Sequence, residues 1–156
     1  KNKSIAQIMS DTNLVQKLRE MTGAGVMDCK KALDDAKNDI EKAKALIMER
    51  GLAKVEKRAG RETGAGMVKA YVHNDRIGVI VELRAETDFV VRSEPFQELA
   101  REIAMQISAT APENIEALLK QPYIRDESKT VEQIVGEVIA KVGENIRIAN
   151  FARLSA

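Results

Sequence analysis

The spacing of apolar residues changes from a helical period to a strand period about 65 residues into the chain. Before that point, apolar side chains recur every three or four positions, as on one face of a helix. Beyond it, MVKAYVHN (Met67–Asn74) and RIGVIVELRAE (Arg76–Glu86) are rich in β-branched residues and follow a period of two. The chain has 156 residues, enough for a small domain beside a medium one. The pattern therefore predicts a helical unit followed by a unit with an antiparallel sheet.

Residues 1–52 are predicted to form a bundle of three short helices. Apolar residues at helical spacing occupy Leu14–Leu33 and are interrupted by TGAG at Thr22–Gly25, which predicts helix, turn, helix. A third helix follows in IEKAKALIMERG, with Asp39 as its N-cap and Gly51 as its C-cap. A bundle of this size has a small core and is typical of a docking module.

The segment that joins the two units is charged and contains few large apolar residues. Its sequence, AKVEKRAGRETGAG (Ala53–Gly66), includes three glycines, which is typical of a linker or a mobile helix end. We assign the linker to residues 53–65 and the second unit to residues 66–156. The segment is also basic, but Glu56 interrupts its cations and stacking aromatic residues are lacking. A solvated face is favoured over nucleic-acid binding, and contact with an acidic partner stays open.

The second unit is predicted to be α+β, with helices packed on one face of a small three-stranded antiparallel sheet. Asn74 and Asp75 suit a tight turn between the first two strands. Glu94–Ala109 returns to the helical period, APENIEALLKQ is a short helix with Pro112 in its first turn, and Thr130 caps VEQIVGEVIAKVG. The final segment, ENIRIANFARLSA, predicts a third strand that places these residues on one face: Ile146, Ile148, Asn150 and Ala152.

Composition argues against several classes of function. Cys29 and His73 are the only cysteine and histidine, so one chain cannot assemble a disulfide framework or a cysteine/histidine zinc site. The net charge of +1 provides no strong field for DNA or anionic lipid. The apolar runs are far shorter than the roughly 20 residues of a membrane helix. The basic start, Lys1–Asn13, lacks an apolar secretory core and is interpreted as a frayed end or as residues foreign to the natural chain.

Motifs for covalent chemistry are weak. The glycine-rich segments lack the Gly-Lys-Ser/Thr ending of a phosphate loop, so they are interpreted as turns. Cys29 could act as a nucleophile if Lys30 and Lys31 lowered the pKa of its thiol, but the only histidine lies in the predicted hairpin turn. A structural cysteine is favoured. The paired carboxylates Asp34 and Asp35 lie at a predicted solvent-exposed helix end, which does not favour a role as general acid or base.

The stretch ETDFVVRSEPF (Glu86–Phe96) places one of only three phenylalanines at a strand-to-helix turn. In one interpretation, Phe89 packs into the core beneath the turn, where burial would stabilise the fold by roughly 1.5 to 3 kcal/mol. In the other, Phe89 projects from a rigid corner into a pocket of a partner, with Asp88 fixing its approach. The residues alone leave both interpretations open.

Three segments in order resemble the elongation factor Ts family, the guanine-nucleotide exchange factors of translation elongation factor Tu. They are LVQKLREMTGAGVMDCKKAL (Leu14–Leu33), ETDFVVRSEPF, and VGENIRI near the end. The resemblance covers essentially the whole chain. It implies a helical module similar to ubiquitin-associated domains, then a linker, then a core domain.

The resemblance implies partner-binding residues but no catalytic residue, cofactor or metal. It places the corner of Thr87, Asp88, Phe89 and Val90 against the nucleotide domain of elongation factor Tu, with the phenylalanine wedged near the Mg²⁺ and phosphate site. In the helical module it implies contacts by Arg19, Val26 and Met27, where Val26 stands in place of a frequent Met. Near the end of the chain it implies contacts by Val142 and Gly143. The implied protein promotes GDP release and is not an enzyme, with no direct nucleic-acid or membrane partner.

The resemblance also implies a homodimer. Longer members of the family carry a second core subdomain, and short members pair two copies to replace it, so we expect the sheets or the last strand at the interface. The expected location is the cytoplasm of a bacterium, or the matrix or stroma of an organelle. Two rival functions remain: an interaction module that does not accelerate exchange, and an enzyme that uses Cys29.

Overall fold

The computed structural model describes residues 5–156, and side chains from residue 11 onward. The interpretation of the chain's start falls partly on residues 1–4, which lie outside the described residues. The chain divides into two compact units, Lys1–Glu56 and Lys57–Ala156. A mixed helical and sheet fold is confirmed. Among the described residues, no helix is both long and apolar enough to cross a bilayer.

The first unit contains three helices: α1 (Ile5–Thr22), α2 (Val26–Asp35) and α3 (Ile40–Arg58). Small side chains allow the three helices to pack closely around a shared core. The buried residues of this core are Leu18, Cys29, Ala32, Leu33, Ala36 and Ala43. The first helix begins at Ile5 rather than near Leu14, so the sequence interpretation of a frayed segment up to Asn13 is wrong over the described residues.

The turn between α1 and α2 lies where TGAG predicts it. Gly23 has a φ of 66°, and its amide donates to the carbonyl of Arg19 at 2.7 Å. The hydroxyl of Thr22 donates to the carbonyl of Leu18 at 2.7 Å. The carbonyl of Arg19 is one of the last four in α1, which have no partner within the helix, so the bond from Gly23 satisfies it.

Both ends of α3 were predicted, and only the first prediction is confirmed. The carboxylate of Asp39 accepts a hydrogen bond from the amide of Lys42 at 3.1 Å, which is the geometry of an N-cap. Gly51 does not end the helix, because α3 continues to Arg58. A glycine costs only about 1 kcal/mol relative to alanine inside a helix, and the following residues, LAKVEKR, are mostly good helix formers. Part of the segment predicted as a linker, residues 53–58, is therefore helical.

The second unit is built on a sheet of three antiparallel strands in the order β1–β2–β5. Their bounds are Ala65–His73 for β1, Ile77–Ala85 for β2 and Ile146–Ser155 for β5. Asn74 and Asp75 both have positive φ, at 50° and 55°, and the amide of Arg76 donates to the carbonyl of His73 at 3.0 Å. The predicted hairpin and its turn are confirmed.

Between β2 and β5 the chain forms four helices and a small hairpin. The helices are α4 (Asp88–Arg92), α5 (Glu94–Thr110), α6 (Ile115–Lys120) and α7 (Val131–Val142), and the hairpin strands are β3 (Pro122–Tyr123) and β4 (Asp126–Thr130). Helix α5 packs across β1 and β2, and Phe96, Ile103 and Ile107 are fully buried on it. The hairpin was not anticipated from PYIRDESK.

The caps of two later helices follow from side-chain hydrogen bonds. Thr130 and Gln133 form a reciprocal capping box at the start of α7, so the predicted cap is confirmed. Pro112 does not lie in the first turn of α6, contrary to prediction. Asn114 is the N-cap instead, and its side chain accepts from the amide of Ala117 at 2.8 Å.

The last strand contains a bulge, and the side chains that follow it lie on the other face of the sheet from the one their alternation predicts. Glu82 pairs with Asn150 and Leu83 with Ile148, so Ala149 has no partner on β2. A bulge shifts the alternation by one residue. Ile146 and Ile148 are buried under the helices, whereas Asn150 and Ala152 are exposed on the opposite face. The prediction that all four residues share one face is therefore wrong.

The segment after α3 is fixed to the second unit. The side-chain amide of Asn145 donates to the carbonyls of Ala59 at 3.3 Å and Arg61 at 2.9 Å. Arg147 Nε donates to the hydroxyl of Thr63 at 2.6 Å, and Thr63 is only 7% exposed. Residues 59–63 therefore lie along the start of β5.

Candidate functional site

The corner after β2 is a single helical turn with one buried side. Helix α4 spans Asp88–Arg92, and Val90 and Val91 each retain only 8% of their exposure. Ser93 interrupts the helix with a ψ of 147°, and its hydroxyl donates to the carbonyl of Val90 at 2.7 Å. The side-chain amide of Gln97 donates to the carbonyl of Val91 at 2.7 Å. The corner is therefore attached to the core by two valines and to α5 by hydrogen bonds.

Phe89 lies on the other side of this turn and is 89% exposed. The interpretation that Phe89 packs in the core is wrong, because Val90 and Val91 take that place. Phe96, seven positions later, is fully buried and is the aromatic residue of this part of the core. Leaving a phenylalanine in water forgoes roughly 1.5 to 3 kcal/mol of burial energy. An aromatic ring presented by an anchored turn is suited to entering a pocket on another molecule.

The turn that follows α7 lies against this corner. Gly143 ends α7 with a φ of 81°, and its amide donates to the carbonyl of Ile139 at 2.9 Å. The next residue, Glu144, accepts two hydrogen bonds from Thr87, one from the amide at 3.0 Å and one from the hydroxyl at 2.7 Å. The structure thus brings the partly exposed Val142 and Gly143 into the same region as Thr87–Val90.

Glu144 belongs to the VGENIRI segment, for which the resemblance implies contacts only at Val142 and Gly143. Glu86 was also missed, although it accepts a hydrogen bond from the amide of Asn145 at 2.7 Å. The sequence contains little that predicts the contact between Thr87 and Glu144, because 57 residues separate them. Only the adjacency of β2 and β5 in the sheet brings these segments together.

The remaining candidate residues belong to the first unit. Arg19 lies in the last turn of α1 and is exposed, while Val26 and Met27 begin α2 at 49% and 73% exposure. Met21, at the end of α1, is 40% exposed. The first unit thus presents an apolar surface around its TGAG turn.

The Cys29 alternative receives no support from the structure. The side chain is fully buried, and burial raises the pKa of the thiol. A buried thiol of raised pKa is a poor nucleophile at neutral pH. Its sulfur lies 3.7 Å from the carbonyl of Ala24, a weak contact that closes the TGAG turn.

Among the described residues, no cluster of three His, Cys, Asp or Glu side chains could hold a metal ion. A groove with a volume of about 270 Å³ lies between α5, α7 and the β3–β4 hairpin. Its acidic side chains are largely paired with basic ones: Glu102 with Arg125 at 2.9 Å and Glu137 with Lys129 at 2.7 Å.

Comparison with known proteins agrees with the resemblance noted in the sequence. The family model described as "Elongation factor TS" matches residues 86–156, which include both the α4 corner and the turn after α7. An elongation factor Ts of Thermotoga neapolitana is 40% identical over an alignment that covers 90% of this chain and 94% of the relative. Those of Coprothermobacter proteolyticus and Thermosipho melanesiensis are 38% and 40% identical, covering 90% and 94% of this chain. The chain belongs to the elongation factor Ts family.

Proposed function

We propose that this chain is a guanine-nucleotide exchange factor for translation elongation factor Tu, promoting GDP release and so allowing GTP to bind. Family membership supports the general role. The observation that carries the mechanism is Phe89, which is 89% exposed on a turn whose opposite side is buried. In the proposal, Asp88 and Phe89 enter the nucleotide domain of the partner near its Mg²⁺ and phosphate site.

The proposed mechanism is a coupling free energy between two ligands of elongation factor Tu. Insertion of Phe89 favours a conformation of the partner that holds Mg²⁺ and phosphate less well, so GDP binds that conformation more weakly. By reciprocity, bound nucleotide weakens the binding of this protein by the same factor. No covalent bond forms or breaks, so the proposal assigns no catalytic residue, cofactor or metal to this chain.

Further contacts in the proposal come from both units. Thr87 and Val90 shape the corner, Val142 and Gly143 contact the partner beside it, and the first unit contributes Arg19, Val26 and Met27. The exposure of Val26 and Met27 supports their assignment, since an apolar side chain such as Met27 at 73% exposure is available to another protein. The protein would act where elongation factor Tu acts, in a bacterial cytoplasm or an organelle.

Pairing of two copies is the second part of the proposal. The sheet face opposite the helices carries four exposed large apolar residues: Val68, Val72, Ile80 and Leu154, each at least 51% exposed. The strand register places Ala70 and Ala152 on either side of Ile80, so no charged side chain lies directly beside Ile80 on the neighbouring strands. Two such faces can stack as in a sandwich of sheets. Ile80→Glu is expected to shift sedimentation equilibrium from dimer to monomer, and a monomeric wild type at micromolar concentration would refute the pairing.

The deciding experiment is release of fluorescent GDP from elongation factor Tu. An aromatic hot-spot residue contributes about 2 kcal/mol or more, which corresponds to a change of roughly 30-fold. Phe89→Ala should therefore slow stimulated release by about that factor. Ile124→Ala is a matched control, because Ile124 is 39% exposed in the β3–β4 hairpin and lies outside the proposed contacts. Wild-type protein that binds elongation factor Tu without accelerating release would support the interaction-module alternative.

A further inference from the structure

The start of α4 is held by a residue from the other end of the second unit. Thr87, directly before the helix, offers two donors to one carboxylate. Its amide lies 3.0 Å from Glu144 Oε2, and its hydroxyl lies 2.7 Å from Glu144 Oε1. Both oxygens of Glu144 are thus used by a single residue.

A third hydrogen bond runs in the opposite direction between the same two segments. The amide of Asn145 donates to Glu86 Oε1 at 2.7 Å, so residues 86 and 87 are joined reciprocally to residues 144 and 145. Asn145 is only 6% exposed, and its side chain also holds the carbonyls of Ala59 and Arg61. The turn that carries Glu144 is therefore itself fixed in place.

Because α4 is so short, it needs stabilising contacts from outside the helix. A helix of five residues is unstable alone, because the cost of nucleation exceeds the gain from so few hydrogen bonds. Thr87 occupies the N-cap position, yet its side chain makes no capping bond to α4. Its hydroxyl donates to Glu144 instead. The contact with Glu144 thus fixes the N-cap residue from outside the helix.

We infer that Glu144 is a positioning residue, which fixes Thr87 and through it the direction in which Phe89 projects. This inference rests on the proposed function, since direction matters only if Phe89 enters a partner. A ring held in its binding orientation loses less conformational freedom on association. Glu144 acts through Thr87 and is not required to touch the partner itself.

The first test needs no partner. The chain contains no tryptophan, so Phe89→Trp supplies a single fluorescent probe at the corner. When Glu144→Ala is combined with Phe89→Trp, the amplitude of the fast motion of the tryptophan probe in time-resolved anisotropy should at least double. Glu132→Ala is the matched control, because Glu132 is an exposed carboxylate in the first turn of α7 and lies outside the corner. Equal amplitudes in the two variants would overturn the inference.

The second test measures stimulated GDP release. Glu144→Ala should slow release at least fivefold, and Glu144→Gln, which keeps a carbonyl acceptor, should recover most of the loss. Thr87→Val removes the hydroxyl donor, so combining it with Glu144→Ala should slow release by less than twofold beyond Glu144→Ala alone. If the two effects multiply instead, Glu144 and Thr87 act independently and the positioning role is wrong.

Failures of the two proposals are distinguishable. Normal release by Phe89→Ala would refute the proposed function. Slow release by Phe89→Ala together with normal release by Glu144→Ala would refute only the positioning role. Circular dichroism spectra and melting curves show whether Glu144→Ala remains folded, and Glu144→Gln serves as the test variant if it does not.

Discussion

The hydroxyl of Tyr123 donates a hydrogen bond of 2.6 Å to the carboxylate of Glu102, which is only 6% exposed on α5. Arg125 binds the same oxygen of Glu102 at 2.9 Å. The other oxygen, Oε1, is buried without a protein partner. A buried carboxylate is costly unless it is paired, so these two contacts connect the β3–β4 hairpin to α5.

Removal of the Tyr123 hydroxyl should therefore destabilise the fold. Tyr123→Phe is expected to lower the free energy of unfolding by about 1 to 3 kcal/mol, because a buried charged acceptor loses a donor. Urea titration followed by circular dichroism measures the change. Tyr71→Phe is the matched control, since the Tyr71 hydroxyl bonds to exposed His73 at 2.9 Å and should contribute within about 0.5 kcal/mol. Equal losses in both variants would contradict this account of the hairpin.

The same pair predicts a loss of stability at alkaline pH. Burial, followed by the hydrogen bond from Tyr123 to Glu102 and the charge of that carboxylate, raises the pKa of Tyr123 from 10.0 to about 12. The folded state therefore favours the neutral phenol. Its contribution is fully present below pH about 10 and is lost as the pH rises toward about 12.

Tyrosinate absorbance tests this pH dependence. In a Tyr71→Phe background, Tyr123 is the only tyrosine, because the chain has two. Its titration in the folded protein should lie well above that of the unfolded chain. A Tyr123→Phe protein should lose less stability over the same pH range. A midpoint near 10 in the folded protein would contradict the burial argument.

Truncation to alanine should have very different effects on stability at two phenylalanines that lie seven positions apart. Phe96 is fully buried, so Phe96→Ala is expected to cost about 3 to 5 kcal/mol of unfolding free energy. Phe89 is 89% exposed, so Phe89→Ala should change stability by less than about 0.5 kcal/mol. Denaturant unfolding of both variants provides the comparison. A large loss in Phe89→Ala would show that its ring is buried in solution.

Local patterns sufficed for most elements of this fold. Helix α5, the β1–β2 hairpin and the capping box at Thr130 depend on neighbours within a few positions, which the sequence displays directly. The bulge at Ala149 cannot be predicted from local patterns, because it depends on how β5 pairs with β2. The reversal of Asn150 and Ala152 could therefore not be derived from alternation alone.

The sequence predicted the strand-to-helix turn that carries Phe89, but it did not predict the direction in which Phe89 points. Composition allowed Phe89 to point inward or outward, and the direction is decided by Val90 and Val91, which fill the core instead. Residues of the corner itself were identified from the resemblance. Glu144 escaped notice because its contact with Thr87 joins segments 57 residues apart.

Gly66 in β1 is required by a close backbone approach. A Cβ atom added there would lie 2.9 Å from the carbonyl oxygen of Leu83 and 3.0 Å from Cγ of Arg84. The first of these atoms belongs to the backbone of the paired strand, so it cannot move without disturbing the β1–β2 ladder. Gly66→Ala is therefore expected to destabilise the second unit by about 1 to 3 kcal/mol, as overpacked sites do.

Gly78, in β2, is the matched control for Gly66. A Cβ atom added at Gly78 meets no atom within 4 Å, and its φ is not in the left-handed region. Alanine there removes backbone freedom from the unfolded chain, so Gly78→Ala should raise stability by about 0.4 to 1 kcal/mol. Thermal unfolding of the two variants should thus shift in opposite directions. Equal shifts would mean that strand propensity, rather than contact with Leu83, decides which residue β1 accepts at position 66.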